Sequence, residues 1–363
     1  SDGQPKLEWK IDGLGQGYGS LAVAGGKVYV QGALDGNSGV HCVDAASGKR
    51  LWFTPLGRKS DNDRGNGPRS TPTVEGNRLW ALTESGDLAC LDAASGKVLW
   101  QKNLIGKDFS GQQPHWLMSE SPLAEGDKLI VTPGAPGASM VALDKNTGRW
   151  IWSSKELSDP PGYSSVIAFT VGTVRCLATL TAKAGVGVRA SDGKLMWRWE
   201  KPANRVANCA APVFAENKIF YTSAYGTGGG AMQLTANGDV VEASELYFVK
   251  DMANHHGGVV YHNGYLYGYS NAILTCMKFS DGAVAWRDRA VGKGCVTLAD
   301  GLLFLLGEGN VMGLAEATPE GYKELGRFTI PDQGYPSWAY PVVSGGRLYI
   351  RHQGLLMCHN VKA

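Results

Sequence analysis

The stretch Cys42-Val43-Asp44-Ala45-Ala46-Ser47-Gly48-Lys49-Arg50-Leu51-Trp52 decides the fold, because it returns almost unchanged as Cys90-Leu91-Asp92-Ala93-Ala94-Ser95-Gly96-Lys97-Val98-Leu99-Trp100. Looser copies follow at Leu143–Trp152, Ser191–Trp197 and Ser280–Trp286. A period of about 45 residues marks a propeller or a solenoid. Each copy is short, bounded by glycine and alternates apolar with polar residues, so the unit is built of strands rather than helices.

A second series gives the count. Two-residue turns recur at Gly25-Gly26, Gly76-Asn77, Gly126-Asp127, Gly172-Thr173, Glu216-Asn217, Asn263-Gly264, Asp300-Gly301 and Gly345-Gly346. Such turns need positive φ, which Gly and Asn adopt at low steric cost. One turn per blade predicts an all-β, eight-bladed propeller of four-stranded antiparallel blades, with strands A to D in each. The last blade runs out after Leu355-Leu356-Met357-Cys358, one strand short, and Leu7-Glu8-Trp9 matches the missing outer strand. The N-terminal strand is therefore expected to complete the last blade, which closes the ring and removes an open edge.

Eight blades of ordinary size use all 363 residues, so residues 1–363 are expected to form one propeller domain. A net charge of +2 with interspersed signs leaves no broad basic face, which argues against nucleic acid as a partner. No stretch reaches the length of a membrane span and none reads as a signal peptide; an export signal removed ahead of Ser1 is compatible with the chain. Of seven cysteines, Cys42, Cys90, Cys276 and Cys358 repeat one place on strand C and read as small apolar fillers between blades. No Cys-x-x-Cys pair offers a zinc site or haem attachment. The repeat tryptophans Trp52, Trp100, Trp152, Trp197 and Trp286 are expected to pack between blades.

The D-to-A and B-to-C connections emerge together on one face, and the D-to-A segments there are long and unlike one another, so binding residues are expected on that face around the channel. Toward it come Tyr18 and Ser20, Arg69 and Ser70, Trp116, Ser119 and Glu120, Tyr163 and Ser164, Asn204 and Asn208, His255 and His256, Lys293, and Ser337 and Trp338. Titratable and aromatic groups converging from different blades describe a small-molecule site, set against the plainer reading of a wet channel mouth. His255 or His256 suits a general base or metal ligand, and alternation along a strand would turn only one of them inward. Glu120 suits a cation ligand or proton acceptor, or an ion pair with Arg69 or Lys293. Gly226-Thr227-Gly228-Gly229-Gly230 has no helix behind it and reads as a B-to-C hairpin rather than a phosphate cradle.

The Asp-Ala-Ala-Ser-Gly-Lys-x-Leu-Trp repeat ending at Trp52 and Trp100 resembles the pyrroloquinoline quinone (PQQ)-type propeller repeat over essentially the whole chain. Gly67-Pro68-Arg69-Ser70-Thr71-Pro72-Thr73, Ser119-Glu120-Ser121-Pro122 and Asn254-His255-His256-Gly257-Gly258 resemble the polyvinyl-alcohol-dehydrogenase-like subgroup. That resemblance implies a periplasmic or secreted quinoprotein oxidising alcohols, with PQQ beside Ca²⁺ in the channel. If PQQ binds, stacking would fall to Trp338 or Trp116, the cation to Glu120 and Asn208, and the quinone oxygens and carboxylates to Arg69 and Lys293; the Asp that such enzymes use as base has no counterpart placed here, and the catalytic candidates Glu120, His255 and His256 rest on their own side-chain chemistry. The chain departs from such enzymes in having no adjacent cysteines, no haem motif and no long insertions. Two other readings stand beside it: a cofactor-free protein-binding scaffold like the propeller lipoprotein of outer-membrane assembly, which shares the repeat, and a His-dependent hydrolase or lyase.

Overall fold

The computed structural model describes residues 4–362. Eight four-stranded antiparallel sheets make up these residues, and no helix occurs among them. The first blade runs from Leu21–Ala24 (strand A) through Lys27–Leu34 and Asn37–Asp44 to Arg50–Arg58 (strand D), and six more follow the same A-to-D order. A strands of neighbouring blades touch one another, which places them around the axis and the D strands at the rim. The eighth sheet joins Leu7–Ile11 to Leu355–Asn360, with Trp9 opposite Cys358. Ring closure by the N-terminal strand is thus as the sequence predicts.

The eight A-to-B turns lie where the Gly and Asn pairs stand. Both residues have positive φ at Gly25-Gly26, Glu216-Asn217, Asn263-Gly264, Asp300-Gly301 and Gly345-Gly346, and only the first does at Gly76, Gly126 and Gly172. These are the two mirror-image turn classes whose twist matches that of antiparallel strands.

The repeat itself builds the joints between blades. Asp44 caps its own turn, Oδ1 accepting from Ser47 N at 2.8 Å and Ser47 Oγ at 2.7 Å, and this brings Gly48 to φ +72°. A β-bulge then sets Trp52 opposite Cys42 and Arg50 opposite Val43, which leaves Leu51 unpaired at the exposed rim and turns the indole toward the next blade. There Trp52 Nε1 donates to Ala94 O at 3.0 Å, and the ring lies where a Cβ on Gly96 would be, 2.7 Å away. Trp9 on Ala45 O (3.0 Å), Trp100 on Lys145 O (3.2 Å), Trp152 on Ala190 O (3.1 Å) and Trp286 on Thr318 O (2.8 Å) repeat the joint. At Gly48, Gly96, Gly148 and Gly193 the glycine is required twice over, by its φ and by the indole above it, whereas among the described residues no glycine lies beneath Trp286. The four strand-C cysteines are fully buried and unpaired, as fillers should be.

Trp197 departs from this pattern. Its Nε1 donates to Tyr221 Oη at 3.0 Å, because the fifth blade replaces the Ser-Gly-Lys turn with a long hairpin, Gly228–Asn237 to Val240–Val249. That hairpin reaches back to blade four, where Arg189 Nη1 donates to Asp239 O at 3.1 Å.

Trp9→Ala, which removes the joint that closes the ring, is expected to lower the unfolding free energy by about 3–5 kcal/mol in chemical denaturation. Trp197→Phe, which loses one hydrogen bond and the second ring but keeps an aromatic side chain, should cost less, about 1–3 kcal/mol.

Candidate functional site

On the D-to-A face the channel opens into a cavity of about 670 Å³. Its wall comes from the segments entering the inner strands, and their side chains alternate. Tyr18 and Ser20, Arg69 and Thr71, Ser119 and Ser121, Tyr163 and Ser165, Cys209 and Ala211, and Trp338 and Tyr340 face the cavity, each pair two residues apart. The residues between them point away, as the two-residue strand period requires.

This alternation corrects two expectations. Glu120 does not line the cavity: it is 2% exposed, Oε1 accepts from Thr132 N at 2.7 Å, and Oε2 lies 2.5 Å from Thr132 Oγ1. Its carboxylate ties the incoming segment to strand B of its own blade, out of reach of Arg69 or Lys293. Burial raises its carboxyl to about 7, against the pull of the Thr132 hydrogen bonds. Asn208, 1% exposed, is likewise spent on backbone: it leads into blade five but donates to Thr181 O of blade four at 3.0 Å, and it accepts from Asn204 N at 2.9 Å. Neither is placed to hold a cation in the cavity, and no group of three His, Cys, Asp or Glu side chains suited to a metal ion occurs among the described residues.

Both His255 and His256 line the cavity, with ring centroids 4.8 Å apart, contrary to the expectation that one would turn away. They precede the strand Val259–His262 and lie in a bend, where strand alternation does not hold. His255 Nε2 is 3.2 Å from Tyr225 Oη; burial, helped by His256 and Lys293, pulls its pKa down to about 3, so the ring is uncharged.

The centre of the arrangement is Glu308, which the sequence reading passed over. Its Oε1 meets three donors from three blades: His256 Nε2 at 2.9 Å, Lys293 Nζ at 3.0 Å and Trp338 Nε1 at 2.8 Å. Burial alone would raise this carboxyl, but the hydrogen bonds and charges of His256 and Lys293 outweigh it and hold it at about 2. An ionised carboxylate only accepts, so His256 carries its proton on Nε2, and its buried Nδ1 has no partner. Tyr340 Oη anchors the same residue from behind, donating to His256 O at 2.7 Å. Glu308 sits in a B-to-C turn, and nothing in Gly307-Glu308-Gly309 separates it from an ordinary surface turn.

Arg69 lies 5.3 Å from the Tyr18 ring and donates Nη2 to Gly65 O at 2.8 Å, while its Nε has no partner. Trp116 Nε1 is likewise buried and unpaired. Ser121 Oγ accepts from Thr71 N at 3.0 Å and Ser165 Oγ from Ser121 N at 2.9 Å, which leaves both hydroxyl protons free. Arg64 and Lys293 complete the cationic lining, and among the described residues no carboxylate forms part of it. Cys209 also faces the cavity, but burial pushes its thiol up to about 12, so it is no nucleophile at neutral pH. Arg64, Tyr225 and Cys209 had no place in the sequence reading; the two-residue alternation counted from Arg69 would have found the wall positions, Cys209 among them.

The sequence profile of the family described as outer membrane protein assembly factor BamB matches residues 36–288, and the chain belongs to that family of PQQ-type propellers. BamB from Moraxella catarrhalis is similar in structure, at 13% identity and a TM-score of 0.69 over 98% of this chain and 100% of that one. So is quinohemoprotein alcohol dehydrogenase from Comamonas testosteroni, at 15% identity and a TM-score of 0.67 over 98% of this chain and 77% of that one. A computationally designed protein, Ika8, reaches 0.68 at 9% identity over 98% of this chain and 100% of its own. At such identities these likenesses establish the fold. No curated protein matches by sequence. No helix among the described residues is long and apolar enough to cross a membrane.

Glu120→Gln keeps both contacts to Thr132, since an amide accepts through its oxygen and donates through its nitrogen. The wild-type carboxyl is raised on folding, so its contribution is fully present below about pH 4.5 and is lost as pH rises through about 7. Melting temperatures of the Gln variant should equal the wild type at pH 4 and exceed it at pH 8.

Proposed function

We propose that this propeller binds a small, flat organic polyanion at the mouth of its central channel. One observation carries the reading: the cavity wall joins Arg64, Arg69, Lys293, the unpaired Trp116 Nε1 and free hydroxyl protons to broad aromatic faces, without a carboxylate in the lining. Such a surface offers donors and positive charge and asks for acceptors. Glu308, whose carboxylate meets the wall residues His256, Lys293 and Trp338, is already spent on these three donors.

PQQ belongs to this ligand class, being a planar tricarboxylate. Arg64, Arg69 and Lys293 would take its carboxylates and Trp116 or Trp338 a ring face, and when bound it supplies two-electron oxidation of an alcohol. The calcium that accompanies it in alcohol dehydrogenases does not fit, since Glu120 and Asn208 are turned into the blades and the lining offers no carboxylate. The reading is therefore of a calcium-independent polyanion site, and alcohol oxidation enters it only through the quinone. A His-dependent hydrolase or lyase draws no support: His255 is a very weak base, and His256 has one nitrogen on Glu308 and the other buried.

A protein-binding scaffold is the second reading, favoured by the family match to an outer membrane assembly factor. An extracytoplasmic location accords with either.

Isothermal titration with PQQ and with benzene-1,2,4-tricarboxylate, each with and without Ca²⁺, tests the proposal. Binding of both probes, unchanged by calcium and weakened about tenfold or more by Arg69→Ala, is the expected result. Absence of binding by the wild type leaves the scaffold, and binding only with calcium contradicts the donor set described above.

A further inference from the structure

Behind the aromatic layer of the cavity lies a cation that the proposed site does not touch. Arg351, on strand B of the eighth blade, is 1% exposed. Its Nε donates to Gln353 O at 3.0 Å and its Nη1 to Gly19 O at 2.8 Å, while Nη2 has no partner. The cleft around it is lined by Gly17, Tyr18, Trp338, His352 and Gln353 and has no room for a water molecule. Tyr18 and Trp338 are also cavity wall, so a single layer of side chains separates the guanidinium from the ligand space.

Among the described residues the charge has no counter-ion. Burial pulls the guanidinium down to about 9 with no charged neighbour opposing it, which still leaves it protonated at neutral pH. The imidazoles that feel its charge give it no counter-charge: His41 is pulled down to about 3 by burial and then by Arg351, and His352 is lowered by burial and by Arg351 against the upward pull of Asp332. Burying one unpaired ion is strongly unfavourable, and the protein keeps it beside a cavity that is already cationic.

Resting on the polyanion reading of the cavity, we propose that Arg351 is a positioning charge for the ligand: its counter-ion is the anion bound on the other side of Tyr18 and Trp338. The free protein carries the unpaired charge as a loss of stability, and binding returns it. Function and stability are then opposed at this residue, which a purely structural arginine would not show.

The experiment is a pair of variants, Arg351→Met and Arg351→Lys, each measured by melting without ligand and by titration with benzene-1,2,4-tricarboxylate. Arg351→Met is expected to melt no lower than the wild type and to bind roughly tenfold more weakly, the size of one unit charge acting through a layer of protein. Arg351→Lys, which keeps the charge and loses the forked hydrogen bonds, should melt lower yet bind within about threefold of the wild type. Affinity falling in step with melting temperature in both variants, or unchanged affinity in Arg351→Met, overturns the proposal while leaving the cavity reading intact. If the wild type itself binds no polyanion, the reading of the cavity fails first.

Discussion

The structure depends on one joint, an indole laid over a glycine that has no Cβ to obstruct it. The tryptophan of an outer strand donates to a carbonyl in the next blade's turn, and the turn exists because an Asp caps it and a glycine takes positive φ. Aromatic burial, a hydrogen bond and a backbone conformation only glycine tolerates are thereby satisfied at a single place. Repeated around the rim, the joint fixes how far each blade turns from its neighbour. Rotation at the rim sets separation at the axis, so the same contact determines the channel.

Four junctions depart from it. Between blades five and six Tyr247 stands over Gly282 in the tryptophan's place and donates to Phe279 O at 3.0 Å, and between blades six and seven Trp286 keeps its hydrogen bond with no glycine of the described residues beneath it. Between blades four and five Trp197 finds the hydroxyl of Tyr221, and the long hairpin clasps Arg189. Blade seven carries Gly326 opposite Leu314, where the others carry an aromatic residue. There the connection is made from inside: Glu308 of blade seven accepts from Trp338 of blade eight, and Thr297 Oγ1 donates to Pro341 O at 2.8 Å. The carboxylate that organises the cavity therefore also joins two blades, which ties the shape of the site to the integrity of the ring.

Charge in the cavity is arranged unequally. Lys293 neutralises Glu308 while His256 donates a hydrogen bond to it, Arg69 is held over Tyr18 with one donor unspent, and Arg351 lies unpaired beneath the same aromatic layer. Each buried cation without a partner lowers stability, and their common direction toward one cavity gives that loss a physical purpose in binding an anion. The face of the A-to-B turns shows no such imbalance; its ion pairs, such as Arg175 with Glu125, are exposed and contribute little.

Sequence alone determined the eight blades, the strand order and the closing strand, because turn chemistry and the Trp-Gly repeat are local and recur at a fixed spacing. It also named much of the cavity wall, Arg69, Trp116, His255, His256, Lys293 and Trp338 among them, since these residues stand where chains enter inner strands. It misjudged Glu120 and Asn208 because a shift of one residue on a strand moves a side chain from channel to blade interior, and composition does not reveal that register. Only the tertiary structure disclosed Glu308 and Arg351. Their roles are set by donors and by missing partners contributed from several blades, and no spacing along the chain encodes a meeting of side chains that the closing of the ring brings about.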